Sequence, residues 1–238
     1  MLPLESQNEY RLRFRAIHDG WRPSGEIYES TARDHLASDS LLLDLGCGRG
    51  GLAEKMAVEN RAVFGLDSDW LSLVEYRGDA VRLISGVAER LPCVGKSFDL
   101  VIAAWLFEHL PEPAAVLCEV RRVLRPGGHC IFLTPNAAHP LVVVARMAQL
   151  VGGLQSMMVG ALYSREARDI FRVYYRANSV RRLRSLSRQS GLRLINLQVV
   201  SDPTYLAFTE VTFRLSMLLE AMLPAGRGVH LVGLLQRP

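Results

Sequence analysis

Between Leu41 and Thr134, short apolar runs alternate with helix-length amphipathic stretches, the pattern of repeated βα units around a mainly parallel sheet. The runs Leu41–Leu45, Ala62–Leu66, Val81–Ser85, Phe98–Ala104 and His129–Thr134 read as strands. After Pro111 and Pro113, a stripe of Val116, Leu117, Val120, Val123 and Leu124 runs up to Pro126, Gly127 and Gly128, predicting a helix with an abrupt stop. A second helix is expected from about Ser179 to Ser190: Asn178 or Ser179 can cap it, Val180, Leu183 and Leu186 form its stripe, and Gly191 suits the C′ position. Strands around Leu192–Val200 and Val229–Leu235 would complete the sheet.

Residues 137–178 break this rhythm. Met147 to Ser164 carries no charge, yet includes Gln149, Gln155 and three glycines between Arg146 and Arg165. A membrane-spanning helix needs about 20 mostly apolar residues, so the segment is expected to be a helical cap rather than a transmembrane span. The expected organisation is one domain over 1–238, with a core at 41–136, a cap insertion at 137–178, and the rest of the sheet with an apolar helix at 179–238.

Composition narrows the class. At 238 residues, 49% hydrophobic and 22% charged, the chain can bury a full core, which excludes a disordered, collagenous or coiled-coil protein. Cys47, Cys93, Cys118 and Cys130 are widely spaced with no CxxC pair, suggesting neither a disulfide framework nor a zinc knuckle. No apolar run behind a basic start marks the first twenty residues. A reducing, cytoplasmic setting is therefore expected. The net charge is +4, and nine arginines fall between Arg165 and Arg193 against only Glu166 and Asp169. That excess suits a solvated helix face, with peripheral contact to phosphates or an anionic membrane surface as the alternative. No aromatic stacking pattern interleaves the arginines, and no nucleic-acid partner is expected.

The strongest chemical signal is the run Leu41-Leu42-Leu43-Asp44-Leu45-Gly46-Cys47-Gly48-Arg49-Gly50-Gly51. A buried strand ends in a glycine-rich turn, where backbone can approach a nucleotide-like ligand closely. Gly46, Gly48 and Gly51 also satisfy the G-x-G-x-x-G dinucleotide pattern, which alone is weak. Asp44 bears on the choice, because an acid there repels a pyrophosphate and attracts an amino-acid ammonium. Asp67 closes the next strand, 21 residues after Gly46. A carboxylate at that place can accept hydrogen bonds from both ribose hydroxyls, or cap the helix that follows, a task Ser68 or Asp69 could equally perform.

These residues resemble the class I S-adenosylmethionine-dependent methyltransferases, particularly the methyltransferase-11-like group. The similarity rests on Leu43-Asp44-Leu45-Gly46-Cys47-Gly48, Gly65-Leu66-Asp67, Ala88-Glu89-Arg90-Leu91-Pro92, Ser97-Phe98-Asp99-Leu100-Val101, Phe107-Glu108-His109-Leu110 and Val123-Leu124-Arg125-Pro126-Gly127-Gly128. The resemblance implies an α/β, Rossmann-like fold with a seven-stranded, mainly parallel sheet whose last strand is antiparallel and whose faces are both covered by helices. It also implies S-adenosyl-L-methionine as cofactor, held by Asp44, Gly46, Cys47, Gly48, Asp67, Ser68, Ala88 and Glu89. One departure stands out: many members carry an acid before the Ala-Glu pair, where it meets the adenine amino group, and here that position is Val87.

Methyl transfer from a sulfonium is an in-line displacement from an activated carbon, so positioning dominates and a general base is optional. For a hydroxyl acceptor His109 is the candidate base, with packing beneath the pocket on Glu108 as its alternative, and His139 is a second candidate. A divalent metal site is not expected, since the first acid of the E-x-x-E-H pattern found in some relatives falls at Trp105. The Met-bearing segment 141–163 and the apolar run from Tyr205 to Leu219 are expected to meet a small, apolar or amphipathic acceptor, or else to form core or a dimer face. Tyr174 to Asn178 and Asp202 to Tyr205 flank them, either lining the acceptor site or turning the chain. Met147 to Ser164 is expected to close over the cofactor as a lid, with Arg165, Arg168 and Arg172 at its rim. Two other functions remain open on sequence: a nicotinamide-binding oxidoreductase, and a catalytically silent relative serving as a binding module.

Overall fold

A computed structural model describes residues 4–37, 39–57, 62–150, 171–207, 209–224 and 226–238. Its elements run α1 (Leu4–Ile17), α2 (Ser24–Asp34), β1 (Leu41–Leu45), α3 (Leu52–Ala57), β2 (Ala62–Asp67), α4 (Trp70–Val74), β3 (Arg82–Ser85), β4 (Phe98–Ala104), α5 (Pro113–Val123), β5 (Leu124–Pro135), α6 (Pro140–Leu150), α7 (Val180–Ser190), β6 (Arg193–Val200), α8 (Glu210–Met222) and β7 (His230–Gln236). Short 3₁₀ turns occupy Phe107–His109 and Pro203–Leu206.

The seven strands form one sheet in the order β3-β2-β1-β4-β5-β7-β6. Neighbours from β3 to β5 are parallel, while β7 runs antiparallel to both β5 and β6. The order reverses between β1 and β4, and there the carboxyl ends of an open α/β sheet leave a crevice for a ligand. Because β1 is buried on both faces, its side chains alternate between two cores. Leu43 and Leu45 join α5 and α7 on one side, and Leu42 joins Tyr28 of α2 and Met56 of α3 on the other. The expected mainly parallel sheet with an antiparallel last strand, flanked by helices, is what the chain forms.

Two differences from the sequence reading have local causes. The fifth strand begins at Leu124 rather than His129, with a register shift between Phe98 and Leu100. The Gly127–Gly128 turn stays in the sheet because the Gly127 N–H donates to Arg237 O (2.8 Å) and the Arg237 N–H to Gly128 O (2.9 Å). The N-terminal helices α1 and α2 were not foreseen. α1 is polar around most of its surface and is held by a small cluster of Phe14, Tyr10 and Trp21 with Phe213 and Met217 of α8, and by an Arg13–Glu210 ion pair (2.7 Å). Of the two expected cap candidates, Ser179 caps α7 by accepting from the Arg182 N–H, and Asn178 donates instead to Thr134 Oγ1 (2.6 Å) and Pro135 O (3.1 Å).

Several motif residues prove to be architectural. Asp99 accepts from the Leu41 N–H (2.8 Å) and from the Arg125 guanidinium (2.7 Å), tying the starts of β1, β4 and β5 together. Glu119 of α5 accepts from the Leu91 N–H, while Arg122 donates to Leu91 O and Cys93 O. The Ala88–Cys93 loop is thereby fixed against α5.

Candidate functional site

The glycine turn lies at the carboxyl end of β1, next to the point where the strand order reverses. Gly46 and Gly48 take φ of 75° and 51°, the left-handed region that glycine enters without penalty. The N–H groups of Gly46 and Cys47 both donate to Leu66 O, at 2.8 and 3.1 Å, pinning the turn to the end of β2. A Cβ at Gly46 would stand 3.0 Å from Leu106 Cδ1, whereas one at Gly48 would meet nothing within 4 Å. The turn is therefore packed on one side and open on the other.

Two carboxylates border it. Asp67 Oδ2 accepts from the Gly48 N–H and its Oδ1 from the Asp69 N–H, both at 2.8 Å. It clasps the turn rather than capping α4; Asp69 is the cap, accepting from Ser72 N–H and Ser72 Oγ–H. A carboxylate has about four lone-pair positions, so two remain for hydroxyl donors. Ser68 is exposed and Glu89 and Ala88 are half-buried. Val87 is 50% exposed and forms an isolated bridge with Arg90, so no carboxylate stands at that place.

Asp44 is only 6% exposed, and its carboxyl takes no hydrogen bond among the described residues. Burial, then the nearby charges of Asp67 and Glu54, push its carboxyl up to about 7. An ionised carboxylate there, without donors, is costly unless a cation arrives. Around it stand groups that sequence reasoning missed. The Tyr28 hydroxyl is buried between Asp44, Cys130 and the Ala103 backbone, and burial raises its ionisation well above the ordinary range. Tyr76 Oη is buried with no hydrogen-bond partner among the described residues, and burial with the Asp44 and Cys47 charges raises it too. Isolated tyrosines on α2 and after α4 carry no motif; only the fold shows that they meet Asp44.

The turn and its acids fit an S-adenosylmethionine-like group. An open glycine face suits a ligand backbone approach, a buried acid without donors suits an ammonium, and Asp67 keeps acceptor positions for ribose hydroxyls.

The histidines separate. His109 Nδ1 lies 2.9 Å from Arg172 O, and its ring meets Phe171 edge-on at 6.0 Å. A carbonyl only accepts, so Nδ1 carries a proton. Glu108 is engaged elsewhere, its Oε2 accepting from Thr134 Oγ1 (2.9 Å). His139, the second candidate, is fully buried. Its Nδ1 accepts from the Leu141 N–H and its Nε2–H faces Glu220 Oε1 at 3.1 Å, so it is a structural post at the start of α6. Asp202 likewise turns the chain, accepting from the Thr204 N–H and hydroxyl. Most of the expected lid, 151–164, together with Arg165 and Arg168, lies outside the described residues. Met147, on α6, is exposed.

Among the described residues no helix is long and apolar enough to cross a membrane, and all four cysteines are free thiols.

Residues 43–132 match the family described as "Methyltransferase domain". The chain is 33% identical over 102 residues to the "Ubiquinone biosynthesis O-methyltransferase" of Photobacterium profundum, covering 40% of this chain and 43% of that protein. It is 35% identical over 137 residues to the "Demethylmenaquinone methyltransferase" of Lactiplantibacillus plantarum, 52% of this chain and 56% of that protein. The match thus spans about half the length of these relatives. In fold, the crystal structure of a SAM-dependent methyltransferase from Methanosarcina mazei superposes with a TM-score of 0.61 at 16% identity, over 86% of this chain and 95% of that one. The family resemblance and the Rossmann-like architecture are borne out.

Proposed function

We propose that this chain, which carries a methyltransferase domain over residues 43–132, moves a methyl group from S-adenosylmethionine to a small, apolar or amphipathic acceptor in a reducing cytoplasmic setting. The observation that carries the reading is the buried Asp44 carboxyl, held without a hydrogen bond among the described residues, beside Asp67 at the glycine turn. Two acids at one turn call for a cation and disfavour a pyrophosphate, which sets the sulfonium amino acid above a nicotinamide dinucleotide.

When bound, the cofactor supplies a methyl carbon already activated by its sulfonium leaving group. The protein's contribution is then to hold and to align. Asp44 accepts from the ammonium, the backbone of Gly46, Cys47 and Gly48 gives close approach, and Asp67 accepts from the ribose hydroxyls with its remaining lone pairs. Ala88 and Glu89, on the loop fixed by α5, border the adenine, and exposed Ser68 sits at the edge. His109, whose Nδ1 faces Arg172 O, is the candidate base for an acceptor hydroxyl, and a positioned base contributes about 10²- to 10⁴-fold. The relatives are named for ubiquinone biosynthesis and for demethylmenaquinone, which supports a lipid-like acceptor.

Calorimetry of the purified protein with S-adenosylhomocysteine and NAD in parallel tests this. Micromolar binding of the first and none of the second is expected. Asp67→Ala should weaken S-adenosylhomocysteine by about 2 to 4 kcal/mol, the scale for hydrogen bonds between a charged acceptor and two hydroxyls. Binding of NAD alone would replace the methyltransferase reading by the oxidoreductase one.

A further inference from the structure

The arginine-rich stretch conspicuous in the sequence has no part in the glycine turn. From Phe171 to Ser201 the chain carries seven arginines and no acidic residue. Three of the seven meet in space. Arg184 and Arg188, one turn apart on α7, and Arg193, at the start of β6, line one groove of about 490 Å³. Ser187, Leu192 and Leu194 supply the less exposed part of its lining, and no acidic side chain enters it.

Several guanidinia elsewhere on the surface are matched with carboxylates: Arg49 with Glu75 at 2.6 Å, Arg125 with Asp99 at 2.7 Å and Arg214 with Glu210 at 2.8 Å. Arg184 and Arg188 are exposed, and neither guanidinium has a hydrogen bond or ion pair among the described residues. The carbonyls at the end of α7, an ordinary destination for such side chains, are already taken. Ser187 O accepts from the Leu192 N–H (2.9 Å), Arg188 O from the Gly191 N–H (3.1 Å), and Gly191 O from Arg121 Nε (3.3 Å). Arg193 gives one N–H to Gln236 Oε1 and, with five donors in its guanidinium, keeps others. Two cations a helical turn apart repel each other, and in a groove that holds no acid only an incoming anion relieves that repulsion.

A planar guanidinium meets phosphoryl oxygens with two parallel hydrogen bonds, so guanidinia from two elements facing one groove suit a group with several such oxygens better than a lone carboxylate. The groove also stands apart from the glycine turn. Arg193 pairs with Gln236, at the far end of β7, whereas Pro135, at the carboxyl end of β5, pairs with His230. The length of β7, seven residues or about 20 Å, separates the two ends. We propose that this groove is a second ligand site, which takes a phosphate-bearing anion on Arg184, Arg188 and Arg193. The phosphoryl group belongs to a free small molecule or to a lipid headgroup, and the chemistry of recognition is the same for both.

Two probes test the site on the whole chain at constant ionic strength: inorganic pyrophosphate by titration calorimetry, and phosphatidylcholine vesicles with or without phosphatidic acid by co-sedimentation. Neither needs the methyl donor, so the outcome is independent of the methyltransferase reading. Binding of pyrophosphate without vesicle binding assigns the groove to a free phosphate compound, and sedimentation only with the vesicles that contain phosphatidic acid assigns it to a headgroup. Arg184→Gln/Arg188→Gln should weaken the binding about tenfold and leave the urea unfolding midpoint unchanged, and Arg184→Lys/Arg188→Lys, which keeps both charges but not the planar forks, should recover part of that loss. Arg33→Gln/Arg227→Gln, which removes the same charge elsewhere on the surface, should stay within about twofold of wild type. Binding of neither probe by the wild-type protein, an equal loss in the two Gln pairs, or full affinity in Arg184→Gln/Arg188→Gln would overturn the site.

Discussion

A carboxyl held at about 7 by burial has opposite effects on folding and on binding. In the unfolded chain Asp44 ionises near 4. Between pH 4 and 7 the folded state is therefore the one that holds the extra proton, so this residue's contribution to stability falls as pH rises through that window and is level above it. An ammonium ligand needs the ionised form. S-adenosylhomocysteine affinity should consequently climb with pH below 7, by up to about tenfold per unit, and flatten above it. Asp44→Asn should bind more weakly at pH 8 and lose the dependence between pH 6 and 8. Calorimetry at three pH values reads both, and a persistent slope in the variant would assign it to another group.

At the scale of elements, legibility followed burial. The strands of the parallel sheet are apolar runs because both their faces are covered, so β1, β2 and β4 could be placed to within a residue or two. Asp44 and Asp67 stood out because an acid inside or at the end of such a run is conspicuous. The helices α1 and α2 did not show because their fixed residues, such as Phe14 and Tyr28, are single side chains docking on distant partners. Tyr28 and Tyr76 had no local signature for the same reason. One element-level constraint hides in a glycine. Gly233 in β7 lies under the Phe132 ring, where an added Cβ would fall 2.1 Å from Cζ, and Phe132 is itself stacked on Phe107 at 4.6 Å. Gly233→Ala should cost about 1 to 3 kcal/mol of unfolding free energy in urea, the range for overpacking a dense core. A neutral result would mean that the Phe132–Phe107 pair can slide.

Across the whole molecule, the far end of the chain fastens the middle. The Arg237 guanidinium donates to Arg121 O (2.6 Å), Arg122 O (3.1 Å) and Leu124 O (2.6 Å), filling the carbonyls left open where α5 stops. Its backbone pairs with both glycines of the following turn. Arg237→Ala is expected to lower global stability by about 1 to 3 kcal/mol in urea denaturation while S-adenosylhomocysteine affinity at the distant turn stays within twofold. A loss of affinity without a loss of stability would reveal coupling between the two ends of β4.

Strand β7 is last in sequence yet sits between β5 and β6. During synthesis, then, two strands with unpaired edges must wait for their shared neighbour. Among the described residues β6 pairs only with β7, and β5 has nothing on its second side until residues 230–236 arrive. The nascent chain spends that interval with exposed, self-complementary backbone, the condition under which strands recruit copies of themselves. Protein quality control in the cell would therefore bear most heavily on the interval before β7 emerges, and a premature stop codon between β6 and β7 would leave both edges open.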